Sequence, residues 1–187
     1  MDKRRRGVVY IISAPSGAGK TSLVRALVSR HKCLDVSVSH TTRKPRPKEI
    51  EGEHYHFITA SRFKKIIDEG GFIEYAKVFD YYYGTAKVSI QSLIEKEMNV
   101  ILEIDWQGAR QAREIFKENC VSIFILPPSL EVLHKRLLKR AQDSKEVIDR
   151  RMKDVNNEIS HAKEYDYVII NDNFNEALKD LEACFLV

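Results

Sequence analysis

The sequence has 187 residues, of which 43% are hydrophobic and 31% are charged, and its formal net charge is +4. This suits one compact domain with inserts, and no segment approaches the roughly 20 apolar residues that cross a bilayer. The mild charge is spread over separate clusters, which argues against nucleic acid as the main partner. Cys33, Cys120 and Cys184 lack CxxC spacing, which predicts a reduced, cytoplasmic protein.

The chain begins with a strand, a glycine-containing loop and a helix. Residues 8–12 form an apolar run typical of a strand buried on both faces, and residues 23–28 have apolar side chains at helical spacing. Between them, Gly17 and Gly19 permit successive backbone N–H groups to point at one anion, and the helix adds its positive dipole end. This context predicts a phosphate-binding loop and a nucleoside triphosphate site.

Individual side chains of this loop have predicted roles. Lys20 is expected to reach the β- and γ-phosphates, and the Thr21 hydroxyl is expected to ligate Mg²⁺. The usual pattern starts with glycine where this chain has Ala14, and the alternative interpretation is a β–α turn without a ligand. The predicted ATP-binding residues of the loop are Ala14, Pro15, Ser16, Gly17, Ala18, Gly19, Lys20, Thr21 and Ser22.

Short strands follow the first helix, which is predicted to end near Arg30. They are predicted at residues 36–39, 55–58, 72–79 and 81–83. Ser61 is the predicted cap of a short helix that Gly70 and Gly71 end. Two prolines forbid a helix over residues 40–49. The cations of this loop are expected to stay at the surface. We therefore predict a small β-rich insert.

From residue 88 onward, helices and strands alternate as in a parallel α/β sheet. The predicted helices cover residues 88–96, 107–116, 129–140, 145–163 and the C-terminal segment. The predicted strands cover residues 100–105, 121–126 and 167–171, the last of them as a buried strand. With a phosphate-binding loop after the first strand, this order predicts a doubly wound sheet that binds ligands at the carboxyl ends of its strands.

Seven motifs are distributed along the chain. They are APSGAGK at 14–20, VSHTTRKPRP at 38–47, EGEHY at 51–55, FIEY at 72–75, YYGT at 82–85, LEIDWQG at 102–108 and LPPS at 126–129. Together they resemble the guanylate kinases, and the combination of TTR-x-PR with YYG is specific to that family. The resemblance implies an α/β fold with a P-loop core at 1–33, 87–126 and 156–187, a GMP-binding insert at 34–86 and a helical lid at 127–155. It also implies transfer of the γ-phosphate of MgATP to GMP, giving ADP and GDP, and leaves dGMP tolerance open.

Guanine can be recognised by a carboxylate, because its N1–H and exocyclic amine are two parallel donors. Glu74, within an apolar strand, is the candidate, and Ser39 and Thr85 are candidates for contacts to O6 and N7. The alternative for Glu74 is the polar face of an alternating strand. For the GMP phosphate, planar guanidinium groups are suited, and Arg43 and Arg46 offer two of them on the proline-bounded loop.

The remaining GMP-site candidates surround that loop. Tyr55 and Tyr83 would add hydroxyl donors to the phosphate, with strand packing as their alternative, and Glu49 belongs to the same predicted GMP-binding set. Glu103 and Asp105 end a predicted buried strand, two apart and therefore on one face. They would hold Mg²⁺ through water or contact the acceptor, and the resemblance places both near the acceptor without dividing these tasks.

The resemblance places Arg136, Arg140 and Arg151 in the lid, where they close over ATP. With Lys20 and Arg43 they form the predicted catalytic set. The alternative for the three lid arginines is that they are ordinary solvated charges on helix surfaces. Asn171 matches a residue near the donor base, whereas Asn173 stands where an acid is commoner, and the chain is shorter at its C-terminus than most relatives. The family usually has Gly-Arg-Gly where this chain has Lys139-Arg140-Ala141. We therefore predict a helix through Arg140 and a hinge near residues 142–144.

His54 and His56 flank Tyr55 and suggest a metal site, but no third ligand is evident, so we interpret them as surface histidines. The expected partners are ATP and GMP with Mg²⁺ as cofactor, without nucleic acid or membrane, and homo-oligomerisation is left open. The alternatives are another P-loop nucleotide kinase, a non-catalytic guanylate-kinase-like binding module, and a nucleic-acid binder using residues 3–6 and the later basic clusters. The intact phosphate-binding loop argues against the binding module.

Overall fold

The computed structural model describes residues 7–47, 49–140 and 145–185. The strands in these residues are β1 (Val9–Ser13), β2 (Leu34–Val36), β3 (His40–Thr41), β4 (His56–Phe57), β5 (Phe72–Val78), β6 (Tyr81–Ala86), β7 (Asn99–Glu103), β8 (Cys120–Leu126) and β9 (Tyr167–Ile170). The α-helices are α1 (Lys20–Arg30), α2 (Ala60–Asp68), α3 (Lys87–Glu95), α4 (Trp106–Phe116), α5 (Leu130–Arg140), α6 (Lys145–Ser160) and α7 (Phe174–Ala183). These elements follow the predicted order, except that β3 lies within residues 40–49, where no strand is predicted.

The strands form two sheets. Five parallel strands have the order β2-β7-β1-β8-β9, and four strands form a second, mixed sheet in the order β4-β3-β6-β5. In the second sheet β3 pairs with β4 in parallel, and β6 is antiparallel to both β3 and β5. The predicted α/β class, a parallel sheet with a small β-rich insert, is confirmed.

The chain divides into two compact units. The first unit comprises Ile12–Lys32 and the described part of Ser122–Val187. In it, Leu23, Val24 and Leu27 of α1 are fully buried, and Arg30 at the end of α1 donates to Glu182 of α7 over 3.0 Å. Burying one apolar face of α1 stabilises a helix that is too short to be stable alone in water.

The second unit comprises Cys33–Val121 and the described part of Arg5–Ile11. Its β-rich part has its own core, in which the rings of Phe63 and Phe72 lie 4.5 Å apart. Helix α2 begins at Ala60 because the Thr59 side chain accepts a hydrogen bond from the Arg62 N–H, 3.2 Å away. The prediction that Ser61 caps this helix is therefore wrong by two residues.

Three strand predictions also need correction. The strand predicted at residues 36–39 is displaced towards the N-terminus: β2 covers Leu34–Val36, and β3 begins only at His40. The strand predicted over residues 100–105 ends at Glu103, and Asp105 caps the following helix. The last strand is not buried: Val168 is 47% exposed and Ile170 is 60% exposed, since β9 is an edge strand of its sheet. Its apolar sequence resembles a central strand, and position in the sheet decides burial.

The described helices include none that is both long and apolar enough to cross a membrane.

Candidate active site

The loop between β1 and α1 has the backbone shape of an anion-binding turn. Gly17 and Gly19 have φ angles of 93° and 98°, in the left-handed region that favours glycine. The buried Ala18 between them donates its N–H to the Pro15 carbonyl over 3.1 Å. A Cβ at Gly19 would overlap the Asn171 amide, so this position requires glycine for space as well as for conformation. Helix α1 begins directly after it, at Lys20.

Three side chains from distant parts of the first unit contact this loop. Asn171, directly after β9, donates its Nδ2 to the Ala18 carbonyl over 2.7 Å. Arg136 of α5 donates to the Asn171 carbonyl over 3.0 Å and more weakly to Ala18 over 3.4 Å. Arg151 of α6 donates to the Ser16 hydroxyl over 2.6 Å. The structure thus brings two of the three predicted lid arginines and the predicted base-site asparagine to the phosphate-binding loop.

A cavity of about 290 Å³ opens beside the loop. It is lined by Gly19, Ser22, Arg136, Asn171, Asp172 and Phe174. Asp172 and Phe174 are not among the residues predicted from the sequence, although both follow β9 at its carboxyl end, where ligands of such sheets bind. Phe174 is 41% exposed and presents an aromatic ring at this cavity.

Helix α5 runs through Arg140 as the Lys139-Arg140-Ala141 sequence predicts. The predicted hinge near residues 142–144 and the Arg140 side chain lie outside the described part of the structure. The departure at Asn173 has a structural explanation, because its Oδ1 accepts hydrogen bonds from the N–H groups of Asn175 and Glu176. Asn173 therefore caps α7, which an acid at this position would also do.

In the second unit, three predicted guanine-reading side chains form one hydrogen-bonded row. The Thr85 hydroxyl donates to Glu74 Oε1 over 2.6 Å, and the Ser39 hydroxyl lies 3.3 Å from the Thr85 hydroxyl. All three residues are buried, and Glu74 is only 3% exposed. Burial of a carboxylate lowers the stability of the folded protein unless the group is hydrogen-bonded. The buried row therefore favours a binding site over the alternative interpretation, the solvent-facing side of a strand.

The predicted phosphate-binding residues form a second group in the same unit. The Arg43 guanidinium donates two hydrogen bonds of 2.9 Å to the Glu49 carboxylate and one of 3.3 Å to the Tyr83 hydroxyl. Glu49 also accepts the Arg46 backbone N–H over 2.7 Å. The Tyr55 ring lies 5.8 Å from the Tyr83 ring and 5.5 Å from the Arg43 guanidinium carbon. The structure therefore brings all five residues together. The expectation that the cations of this loop stay at the surface is wrong for Arg43, which is only 9% exposed because Glu49 and Tyr83 accept its hydrogen bonds.

The charges in this group support one another. Burial opposes the charge of Arg43, but its hydrogen bonds to Glu49 and Tyr83 outweigh that effect and raise its pKa. Burial likewise opposes the charge of Glu49, yet the hydrogen bonds from Arg43 and Arg46 lower its pKa. Burial and the neighbouring Tyr83 and Glu103 raise the pKa of Tyr55 to about 12. At neutral pH the group holds the charged Arg43 guanidinium beside the neutral Tyr55 hydroxyl, a combination of donors that suits a phosphate ligand.

Asp105 has a different setting from the one predicted. Its Oδ1 accepts the Gly108 N–H over 3.0 Å, and its Oδ2 accepts the Gln107 side-chain amide over 3.0 Å. Asp105 is thus the N-cap of α4, and Glu103 ends β7. The prediction that both acids belong to the strand is therefore wrong, because only Glu103 is part of it, and strand alternation does not apply to Asp105.

The histidines next to Tyr55 have protein partners. His54 Nδ1 accepts the Ile50 N–H over 3.1 Å, and His56 Nδ1 lies 3.0 Å from the Glu51 carboxylate. Within the described residues, no group of three or more His, Cys, Asp or Glu side chains is arranged to hold a metal ion.

His40, next to Ser39, lies in an environment that disfavours its charge. Burial is the main cause, and the His56 ring 4.7 Å away and Arg62 act in the same direction, whereas Glu51 opposes them. Together they lower the pKa of His40 from 6.5 to about 4. Between these values the unfolded chain binds the proton and the folded protein does not, so the free energy of unfolding falls as the pH falls through this window.

We expect His40→Gln to remove this part of the acid sensitivity. From pH 7 to pH 4.5 the parent should lose about 1–2 kcal/mol more of its unfolding free energy than the variant, a reduced figure because the ring is partly exposed. Urea unfolding at the two pH values measures the difference, with His134→Gln on α5 as the control. Equal acid sensitivity of the parent and His40→Gln would contradict the assignment.

Comparisons with known proteins agree on one family. A family model described as guanylate kinase matches residues 6–186. Curated proteins named guanylate kinase include those of Alkalilimnicola ehrlichii, 54% identical over 96% of this chain and 88% of the relative, and Chromohalobacter salexigens, 57% identical over 95% and 82%. The crystal structure of guanylate kinase from Anaplasma phagocytophilum is similar with a TM-score of 0.80 and 34% identity, over 96% of this chain and 85% of that one.

Proposed function

Because the chain belongs to the guanylate kinase family and is a kinase that phosphorylates GMP, we propose how its residues divide this work between ATP and GMP. Nothing in the comparisons favours another nucleotide kinase or a non-catalytic binding module. The observation that carries the division is the buried row of Ser39, Thr85 and Glu74, which lies in one unit, whereas the phosphate-binding loop lies in the other.

The donor nucleotide is assigned to the first unit. The loop N–H groups and the α1 N-terminus bind the ATP phosphates, and Lys20 neutralises the charge that moves with the γ-phosphoryl group. Arg136 and Arg151 also neutralise the charge on the γ-phosphoryl group. Arg136 donates to the Asn171 carbonyl next to the loop, and Arg151 donates to the Ser16 hydroxyl in it. Arg140 completes the proposed set of lid arginines. We assign adenine to the cavity lined by Asn171, Asp172 and Phe174.

The acceptor is assigned to the second unit. Glu74 reads guanine N1–H and the exocyclic amine, and Ser39 and Thr85 contact the O6 and N7 side of the base. Arg43, Arg46, Tyr55 and Tyr83 bind the phosphate of GMP. The role we propose for Glu49 is to orient the two arginines, because it accepts from the guanidinium of one and the backbone of the other.

The reaction needs positioning and charge neutralisation more than proton transfer. Phosphoryl transfer passes through a loose, in-line transition state, and the second pKa of a phosphate monoester is about 6, so GMP is largely a dianion at neutral pH. No general base is then required. Lys20, Arg43 and the lid arginines offset the repulsion between the two anionic substrates, and closure around them excludes the water that would hydrolyse ATP.

Mg²⁺ fits the donor set of the phosphate-binding loop. Thr21 is in the first turn of α1, where its hydroxyl offers the hard oxygen ligand that Mg²⁺ prefers, with nucleotide phosphates and water supplying the others. Bound there with ATP, Mg²⁺ would neutralise phosphate charge. Glu103 and Asp105 are proposed to lie near GMP, and Asp105 also caps α4.

A cytoplasmic location is proposed because the three cysteines lack CxxC spacing, as in proteins of a reducing compartment.

A nucleotide panel tests the proposed function. ADP formation from ATP is measured with GMP, dGMP, AMP, CMP or UMP as acceptor, and with or without Mg²⁺. We expect GMP to be the preferred ribonucleotide acceptor by a wide margin and activity to be lost without the cation. A preference for AMP, CMP or UMP would contradict the assignment of guanine to Glu74.

The helical end of α5 gives a prediction about the lid. Glycine costs about 1 kcal/mol relative to alanine inside a helix, so Lys139→Gly should loosen the last turn of α5 beside Arg140. We expect faster amide hydrogen exchange over residues 135–140 and a modest rise, about threefold, in KM for ATP. Lys139→Ala is the matched control, since it removes the same charge and keeps the helix. If amide hydrogen exchange over residues 135–140 were as slow in the glycine variant as in the parent, the last turn of α5 would not restrict movement of the lid.

A further inference from the structure

Strand β5, which carries Glu74, is the last strand of its sheet. One of its edges pairs with β6, and two glutamine side chains of α4 bond backbone groups of β5 that β6 does not pair with. Gln111 accepts the Tyr75 N–H at its Oε1 over 3.2 Å and donates its Nε2 to the Tyr75 carbonyl over 2.8 Å. A single amide side chain therefore bonds both backbone groups of the residue that follows Glu74.

A second glutamine of α4 extends this contact along the strand. Gln107 donates to the Lys77 carbonyl over 3.4 Å, and the same amide group donates to Asp105 over 3.0 Å. The N-terminal half of α4 is itself anchored by the Asp105 cap. Helix α4 thus holds β5 at Tyr75, and more weakly at Lys77, through hydrogen bonds that need no particular β5 side chain.

The Glu74 carboxylate is confined between β6 and α4. Its Oε1 accepts from the Thr85 hydroxyl over 2.6 Å, and its other side faces Gly108. A Cβ built at Gly108 would overlap Glu74 Oε2, and it would lie 3.0 Å from the carboxyl carbon. The position of this carboxylate therefore depends on the distance between β5 and α4, and the two Gln111 hydrogen bonds join the backbone of β5 to α4 over shorter distances than the Gln107 hydrogen bond does.

We propose that Gln111 is a positioning residue for guanine selection, which sets the Glu74 carboxylate between Thr85 and Gly108 by holding the Tyr75 peptide groups. The inference rests on the proposed role of Glu74 in reading guanine. It predicts that loss of the Gln111 bonds weakens recognition of the base while the phosphate-binding arginines, which contact other residues, remain in place.

IMP provides the readout that a purely structural role of Gln111 would not change. Hypoxanthine keeps the N1–H of guanine but lacks the exocyclic amine, so a carboxylate at the right position prefers GMP because it accepts a second hydrogen bond. A displaced carboxylate loses that second bond first. The ratio of kcat/KM for GMP to kcat/KM for IMP then falls, whereas general destabilisation lowers both values by the same factor.

The test uses the full chain with Gln111→Met, which keeps the side-chain length and removes both hydrogen bonds to Tyr75, together with the weak one to the Gln107 carbonyl within α4. We expect the GMP-to-IMP ratio to fall about tenfold, the size expected for losing one well-placed hydrogen bond, with KM for ATP unchanged within twofold. Gln91→Met is the matched control, because Gln91 is also a helical glutamine of this unit and bonds only Glu95 among the described residues. Gly108→Ala, which displaces the same carboxylate directly, should lower the ratio at least as much.

An independent measurement on the parent protein complements these variants. The Tyr75 amide should be protected from hydrogen exchange in the parent and in Gln91→Met, and should exchange faster in Gln111→Met. A GMP-to-IMP ratio that is unchanged in Gln111→Met, or an unprotected Tyr75 amide in the parent, would overturn the proposal. Glu74→Gln tests the proposed function separately from the role of Gln111. Unaltered recognition of GMP in that variant would show that Glu74 does not read the base, independently of the result for Gln111.

Discussion

Lys20→Ala is expected to lower kcat by about 10²–10³-fold, the loss typical of removing one charged group that stabilises a transition state. Lys20 is the first residue of α1, directly after the left-handed Gly19, and no neutral side chain at this position can offset the charge of the moving phosphoryl group. Binding of GMP should survive, because the residues that we assign to GMP all lie in the other unit.

Steady-state kinetics and GMP titration of the same preparation check this result. Lys32→Ala, an exposed lysine just beyond α1, is the matched control and should retain parental turnover. Circular dichroism and the melting temperature establish that the Lys20 variant is folded. Turnover within threefold of the parent would show that the phosphate-binding loop does not contribute to catalysis as assigned.

Glu74→Gln is expected to lower kcat/KM for GMP by a factor of up to about 10⁴, because a site built on paired hydrogen bonds leaves polar groups unpaired when one partner changes. The glutamine keeps the shape of the side chain and its acceptor for Thr85, but it presents an amide donor to guanine's own donors. Since Glu74 is only 3% exposed, water cannot replace the lost interaction.

Kinetics with each substrate varied in turn distinguish this effect from general damage. KM for ATP should change by less than threefold, and the exposed Glu69→Gln on the same unit should behave like the parent. If GMP affinity measured by calorimetry were the same in Glu74→Gln and the parent, another group would have to read the base.

The local features of the donor site were predictable from the sequence, because they follow from neighbouring residues. A strand, two glycines and Lys-Thr at the start of a helix require a particular backbone shape, and Gly17 and Gly19 have it. The contacts of Arg136 and Arg151 with the loop depend on helices far along the chain. Family resemblance, rather than residue pattern, suggested that they belong there.

The acceptor site shows where sequence patterns are insufficient. Glu74 stands out as an acid in an apolar strand, but the Gln111 contact joins residues 36 apart through an ordinary polar side chain on a helix surface. No periodicity marks such a residue. The prediction for Asp105 failed for a related reason. An acid after an apolar run fits either the end of a strand or the cap of the next helix, and only the hydrogen bond from the Gly108 N–H decides between them.

The first unit is built from two segments that lie far apart in the sequence, which affects its folding during biosynthesis. Leu23, Val24 and Leu27 of α1 are buried in a unit whose other elements, including α7 at Phe174–Ala183, are translated last. At about 5–20 residues per second, α7 emerges from the ribosome on the order of ten seconds after α1. During this interval the apolar face of α1 lacks its final partner, so we expect nascent chains that stop before Phe174 to be bound by chaperones and full-length chains to be released.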